Sequence, residues 1–224
     1  MILSYYCAKE LMKQGKTIIT AHSGCENTPD NSLEHIHAAI ASGAEMIEVD
    51  LRMRPDGTLY LSHDVPESLD ARPLLTDLLA LIAGTEHMGI NLDAKEEGLI
   101  APAMELVRAY GLTDRVIFTG SCEGDRALAV SLGTDVWCNL AEEGETVEEG
   151  LRKILNNGSP CLNACYRQIT SEDKQLLQSC GRGVSTWTIN DEENLRRYLQ
   201  MGVMNITTRI PVLAMKLRKE IQGI

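Results

Sequence analysis

The feature that most restricts the fold of this chain is a sustained alternation of short apolar runs with helix-patterned stretches. Residues 17–21 form a β-rich run, and 32–42 (SLEHIHAAIAS) carry helical periodicity closed by Gly43. A strand over 45–53 comes next, then the turn signal Pro55-Asp56-Gly57 and a returning hairpin strand over 58–62. Helices over 74–83, 98–110, 124–132, 146–156, 171–180 and 191–201 then precede strands over 88–93, 115–119, 135–139, 160–163, 183–188 and 203–208. A helix over 212–222 closes the chain, and residues 1–16 read as an extra amphipathic helix before the first strand.

Strict alternation of strands and helices implies a parallel sheet. A doubly wound sheet is the rival arrangement. Eight units, the lack of a glycine-rich phosphate loop after the first strand, and polar residues at many strand ends favour a closed (β/α)8 TIM barrel. The expectation is an α/β barrel with short loops, because such barrels usually need about 250 residues and this chain has 224. No Pro/Gly/Ser-rich linker divides it, so 1–224 reads as a single domain.

The formal charge of −11 argues against a nucleic-acid partner, which requires a basic stripe. It leaves room for a small-molecule phosphodiester substrate, because a bound cation inverts the local sign of the potential. Seven cysteines, an odd number, and an N-terminus without a basic-then-apolar signal pattern point to free thiols in a reducing, cytoplasmic setting. Of these, Cys161 and Cys165 are close, but no second Cys/His pair completes a zinc site. No apolar run approaches the ~20 residues needed to span a bilayer, so stable membrane insertion is not expected.

Barrels of this kind carry their chemistry at the C-terminal ends of the strands. The first strand ends at His22, the second carries Glu48, Asp50 and Arg52, and the hairpin ends at His63-Asp64. The third main strand ends at Asp93, with Lys95 two residues on. Period-two alternation puts Glu48, Asp50 and Arg52 on one face. Inward carboxylates are costly to bury unless a cation or hydrogen bonds satisfy them. Glu48, Asp50 and Asp93 therefore suit a hard divalent ion such as Mg2+ or Ca2+. An ion network with Arg52 or Lys95 is the duller reading of the same carboxylates, and it carries a heavy desolvation cost. His22 and His63 flank the site as candidate general base and acid, which predicts a bell-shaped pH–rate profile. Lys95 and Arg52 are candidates for holding a phosphoryl group.

Taken together, AHSG (21–24), PDNSLEHIHAAIASGAEMIEVDLRMRPDG (29–57), LSHD (61–64), NLDAK (91–95) and STWTIN (185–190) resemble the glycerophosphodiester phosphodiesterase family. The resemblance implies a TIM barrel, catalytic His22 and His63, metal ligands Glu48, Asp50 and Asp93, a substrate-contacting Lys95 and a pocket-lining Trp187. It implies hydrolysis of a glycerophosphodiester to glycerol 3-phosphate and an alcohol. Phospholipase D-like or cyclising cleavage, and a non-catalytic phosphoester-binding relative, are the alternatives.

Several positions depart from the family pattern. Ser23 stands where Arg usually follows the first histidine, Asp30 and Asp93 each replace a Glu, and Arg209 stands where an Asp is usual. Only 28 residues lie between Asp64 and Asp93, so a capping insertion is largely missing. Arg52 is expected to supply the positive charge that position 23 lacks. Asp30 reads either as a substrate-binding group or as a helix N-cap. His35, His37 and His87 read as solvent-facing or structural, and the acidic run over 142–149 as a solvated helix start. Asn139 and Asn163, at strand ends, are candidates for lining the pocket or capping loops.

Overall fold

The computed structural model describes residues 16–65, 72–141 and 143–223. Apart from Lys16, the expected N-terminal helix lies outside these residues. The strands are β1 (Ile18–Ala21), β2 (Met46–Met53), β3 (Leu59–Leu61), β4 (Gly89–Ala94), β5 (Val116–Gly120), β6 (Cys138–Asn139), β7 (Cys161–Cys165), β8 (Gly183–Trp187) and β9 (Asn205–Thr208). The helices are α1 (Leu33–Ser42), α2 (Leu75–Ala83), α3 (Ile100–Ala109), α4 (Arg126–Ser131), α5 (Val147–Asn157), α6 (Ser171–Ser179), α7 (Glu192–Met201) and α8 (Pro211–Gln222).

The strands pair in the order β5-β4-β2-β1-β9-β8-β7-β6, all parallel, while β3 folds back antiparallel on β2. A parallel bridge between Phe118 and Val136 brings the two ends of that order together. It rests on Phe118 N–H to the Asp135 carbonyl (3.0 Å) and Trp137 N–H to the Phe118 carbonyl (2.9 Å). The architecture is the expected (β/α)8 barrel with its hairpin after β2.

Period two explains how both faces of the ring are buried yet chemically different. Outward residues such as Ile19, Ile47, Val49, Leu51, Ile90, Leu92, Phe118, Leu162 and Ile206 pack under the helices in one large core. Inward residues at the strand starts, Ile18, Met46, Ile117, Trp137 and Cys161, form a second, smaller apolar cluster. That cluster floors the lumen. Two residues further along each strand the same inward face turns polar: Thr20, Glu48, Thr119, Asn139 and Asn163. The barrel is thus an apolar plug beneath a polar mouth. Each fully buried aliphatic side chain contributes roughly 1.5–3 kcal/mol, so the two clusters can carry the expense of the polar mouth.

The helix ends follow local chemistry. Ser32, not Asp30, caps α1, its hydroxyl accepting from His35 N–H, and Gly43 ends the helix at φ 75°. The acidic run expected to open a helix does so: Thr146 caps α5 and forms a reciprocal box with Glu149. The two histidines of α1 take the two expected forms, one structural and one solvent-facing. His35 is fully buried in the helix face that packs on the barrel, whereas His37 is exposed and bonds back to the Leu33 carbonyl.

Candidate active site

A cavity of about 440 Å3 opens at the C-terminal mouth of the barrel, lined among others by His22, Glu48, Asp50, His63, Asp93 and Lys95. Its floor is the polar layer above the apolar plug. Glu48 and Asp50 are buried at 6% and 5% exposure, and Asp93 follows from the neighbouring strand β4 in register with Asp50. One oxygen from each of Glu48, Asp50 and Asp93 lies within 4.8 Å of the others.

Each carboxylate is aimed by a separate group. Asp50 accepts from Asn31 Nδ2 at 2.6 Å, and Asn31 Oδ1 takes the Asp50 N–H at 3.0 Å. Asn31 sits at φ 51°, a left-handed conformation that asparagine tolerates better than most residues. Its N–H is held by Ser23 Oγ at 2.9 Å. Ser23 N–H in turn donates to Glu48 Oε2 at 3.0 Å. Asp93 accepts from Thr119 Oγ1 at 2.6 Å. Gly120 must pass directly beside it, since a Cβ there would lie 2.9 Å from Asp93 Oδ1 and 2.3 Å from the Ala94 carbonyl.

Lys95 bridges two of the three acids, 2.7 Å from Asp50 Oδ1 and also in contact with Asp93. Burial works to lower its ammonium, but Asp93 and Asp50 outweigh that and hold it above the ordinary lysine range. Burial pushes Glu48 above the usual carboxylate range; His22 and the Ser23 N–H pull it back, while Asp50 and Asp93 push it further up. Three acids against one ammonium leave negative charge that a divalent cation would neutralise, and the oxygen-only donor set is the kind Mg2+ or Ca2+ takes. The residues therefore fit a divalent metal site.

The histidines flank this cluster. His22 Nδ1 lies 2.8 Å from the Ser23 carbonyl, an acceptor only, so that nitrogen carries the proton. Nε2 faces Glu48 Oε2 at 3.7 Å. His63 also lines the cavity, its Nδ1 2.9 Å from Asp64 Oδ1. Trp187 lines the wall beside Thr188, and the peptide between them is cis.

Arg52 does not line the cavity as expected. Its guanidinium grips the His63 carbonyl through Nε (2.9 Å) and Nη2 (2.7 Å) and faces Glu96 at 3.7 Å. Alternation fixes the direction of Cβ, but β2 has reached the rim by residue 52, where a long side chain can fold over the edge. Asp30 does line the cavity, in an ion pair with Arg209 at 3.1 Å. Arg209 itself, with Asn91, Thr119, Thr188 and Thr207, lines the cavity without having been singled out for it. Arg209 and Thr207 were legible in principle, since they continue the inward set Asn205, Thr207, Arg209. Asn139 and Asn163 line the wall and bond to each other at 2.7 Å.

Residues 22–80 match the model of the Glycerophosphoryl diester phosphodiesterase family. A glycerophosphodiester phosphodiesterase of Bacillus altitudinis is 25% identical, over 92% of this chain and 100% of that protein. Another, of Caldanaerobacter subterraneus, is 23% identical over 88% of this chain and 95% of that protein. Among solved structures, an Oleispira antarctica phosphodiesterase in complex with the product sn-glycerol-3-phosphate superposes with a TM-score of 0.74. It is 18% identical, over 92% of this chain and 98% of the other. The family match spans the segment bearing His22, Glu48, Asp50 and His63, the relatives run nearly end to end, and the barrel is shared. The chain is similar to the glycerophosphodiester phosphodiesterase family over residues 22–80, and to these relatives over most of its length.

Proposed function

We propose that the protein hydrolyses glycerophosphodiesters to glycerol 3-phosphate and an alcohol, using a divalent cation, Mg2+ or Ca2+, held by Glu48, Asp50 and Asp93. The observation that carries this reading is the largely buried three-carboxylate cluster in a cavity also lined by His22 and His63. The product bound to the Oleispira antarctica relative supports the choice of substrate class.

When bound, the cation would polarise the phosphoryl group and favour a deprotonated nucleophile. The rest falls to the chain's own residues. His22, whose Nδ1 is turned to the Ser23 carbonyl, directs Nε2 away from that contact and is the general base. His63, oriented through Nδ1 by Asp64 and through its backbone oxygen by Arg52, is the general acid for the leaving alkoxide. Lys95 keeps Asp50 and Asp93 aligned and offers an ammonium beside the phosphoryl group. Trp187 forms an apolar wall for the glycerol or head-group carbons.

Purified protein should turn over at least one of glycerophosphocholine, glycerophosphoethanolamine, glycerophosphoglycerol and bis(p-nitrophenyl) phosphate with Mg2+, Ca2+ or Mn2+, and lose that activity in EDTA. Phosphorus NMR should show a phosphomonoester; a cyclic phosphate as final product would replace hydrolysis by cyclising cleavage. No metal-dependent turnover on any of the four would overturn the enzyme reading in favour of a phosphoester-binding protein.

A further inference from the structure

We propose that Arg209 is the residue that receives the anionic oxygens of the phosphodiester, a specificity role that rests on the function proposed above. Among the described residues, the cavity is lined by four carboxylates, Asp30, Glu48, Asp50 and Asp93, and by two cations, Lys95 and Arg209. Lys95 is committed to Asp50 and Asp93 at the floor, its side chain 19% exposed. Arg209 stands at the rim with 44% of its side chain open to solvent. It is the cation an arriving anion meets first.

The guanidinium has donors to spare. Of its five N–H groups, the Nη2 edge goes to Asp30, 3.1 Å from Oδ1 and 3.3 Å from Oδ2. Nε lies 3.3 Å from His22 Nδ1. That nitrogen already gives its proton to the Ser23 carbonyl at 2.8 Å, so it has no lone pair for Arg209. Among the described residues Nη1 has no hydrogen-bond partner. A planar group with an unspent Nε and Nη1 matches two oxygens of a phosphoryl group.

The group is also held in place. Arg209 N–H donates to Asn190 Oδ1 at 2.8 Å, and its carbonyl accepts from Glu26 N–H at 2.8 Å, so loops after β1 and β8 fix its backbone. The Asp30 carboxylate that steadies the guanidinium lies over Gly24, where a Cβ would meet its Oδ1 at 2.0 Å. Gly24, at φ 74°, leaves the space that the Asp30 carboxylate occupies in this ion pair. Placed so, Arg209 sits next to the proposed base and on the approach to the carboxylate cluster. Among the described residues nearby, none replaces it. Ser23 is buried, uncharged and occupied with Asn31, and Arg52 is turned onto the His63 carbonyl.

The test compares wild type with Arg209→Ala and Arg209→Lys, measuring KM and kcat on whichever diester wild type turns over. Calorimetric binding of sn-glycerol 3-phosphate and of glycerol to the metal-loaded protein completes it. Arg209→Ala should raise both KM and the glycerol 3-phosphate Kd roughly 10- to 100-fold, the value of a charge-assisted hydrogen-bonded contact. Glycerol binding should not move, and Arg209→Lys should recover part of the loss. KM and Kd within twofold of wild type in Arg209→Ala would overturn the assignment. So would a fall confined to kcat, because Arg209 would then act only through His22. A wild-type protein with neither turnover nor glycerol 3-phosphate binding defeats the proposed function itself, a result separable from failure of the Arg209 assignment, which requires wild-type activity to be present.

Discussion

The two halves of the barrel mouth solve the same burial problem with different chemistry. Around β1, β2 and β4 the inward positions are ionisable: His22, Glu48, Asp50 and Asp93, with His63 and Lys95 on the following loops. Around β5 to β9 they are mostly amides and hydroxyls, with Trp187 at the end of β8 and Arg209 one residue beyond β9. There Asn163 bonds Asn139 at 2.7 Å, and Asn205 bonds Ser185 at 2.9 Å and Thr207 at 3.2 Å. A neutral amide and a hydroxyl satisfy each other pairwise, and bonds from Thr119 to Asp93 and Asn91 and from Thr20 to Asn205 join this half to the other. In the charged half three acids share one lysine. Its donors fit a divalent cation from outside the chain, and the difference sets the proposed chemistry in one half and the shaping of the mouth in the other. The family match over residues 22–80 falls on the charged half.

The largest effect expected from this contrast is at Asp50. Asp50→Asn keeps the shape and the Asn31 contact but removes a ligand charge, so metal binding and turnover should both be lost. Calorimetric titration with Mg2+ or Ca2+ checks the first and a diester assay the second. Retained metal affinity would mean that the cluster is an ion network with Lys95 after all, the reading in which burial of charge is merely tolerated. His22→Gln should be next, lowering kcat by about 10^2 to 10^4 while leaving metal affinity intact. Equal losses in His22→Gln and Asp50→Asn metal titrations would erase the distinction between base and ligand.

A third prediction concerns what lies behind the charged half. His35 is fully buried on α1, and neither ring nitrogen has a hydrogen-bond partner among the described residues. Burial, aided by His22, holds its imidazole down at about 4 from the usual 6.5, against the opposing pull of the Ala21 carbonyl, Asp30 and Asp50. The folded protein therefore refuses a proton that the unfolded chain accepts. Stability is fully present above pH 6.5, falls as the pH drops from 6.5 towards 4, and levels off below. At about 1.4 kcal/mol per unit the loss sums to roughly 3 kcal/mol. His35→Leu removes this linkage, so the stability difference between wild type and variant in urea should shrink by that order between pH 7 and pH 4. A difference independent of pH would mean that His35 finds a proton acceptor in the fold.

Much of this was legible in the residues because barrel strands have two faces with separate tasks. Along β2 the alternation Met46, Glu48, Asp50 against Ile47, Val49, Leu51 identifies floor, site and outer core without any structure. Alternation was less informative where long side chains or local bonds intervene. Arg52 shares the inward phase of Asp50, yet its flexible chain ends on the His63 backbone. The strand expected over 135–139 forms a ladder only at Cys138–Asn139, with a bridge at Val136. Asp135 pairs there with Arg126 at 2.7 Å and accepts the Val136 N–H at 2.8 Å, local bonds that compete with extended pairing. His35 was unreadable for another reason. A histidine at a helix position gives no sign of whether its face meets water or the barrel, and the answer depends on how α1 packs. Arg209 lies one residue beyond β9, where strand periodicity is easily abandoned one step too early.

The smallest effect should come from the neutral half, and it is the sharpest test of the contrast. Asn163→Ala deletes the donor to Asn139 Oδ1 and leaves that oxygen facing a water-accessible cavity. The Asn139 backbone stays anchored from outside the barrel, its N–H on Glu123 and its carbonyl on Lys153. Water can replace the lost donor, so the stability cost should be about 1 kcal/mol, readable as a small shift in urea midpoint. Turnover should stay within about fivefold, since an interaction of that size changes a rate by no more than roughly tenfold even if all of it is expressed in the transition state. A loss at Asn163 as deep as that at Asp50 would mean that the amide touches the reacting phosphoryl group, and the division between a chemical half and a shaping half would have to be redrawn across β7.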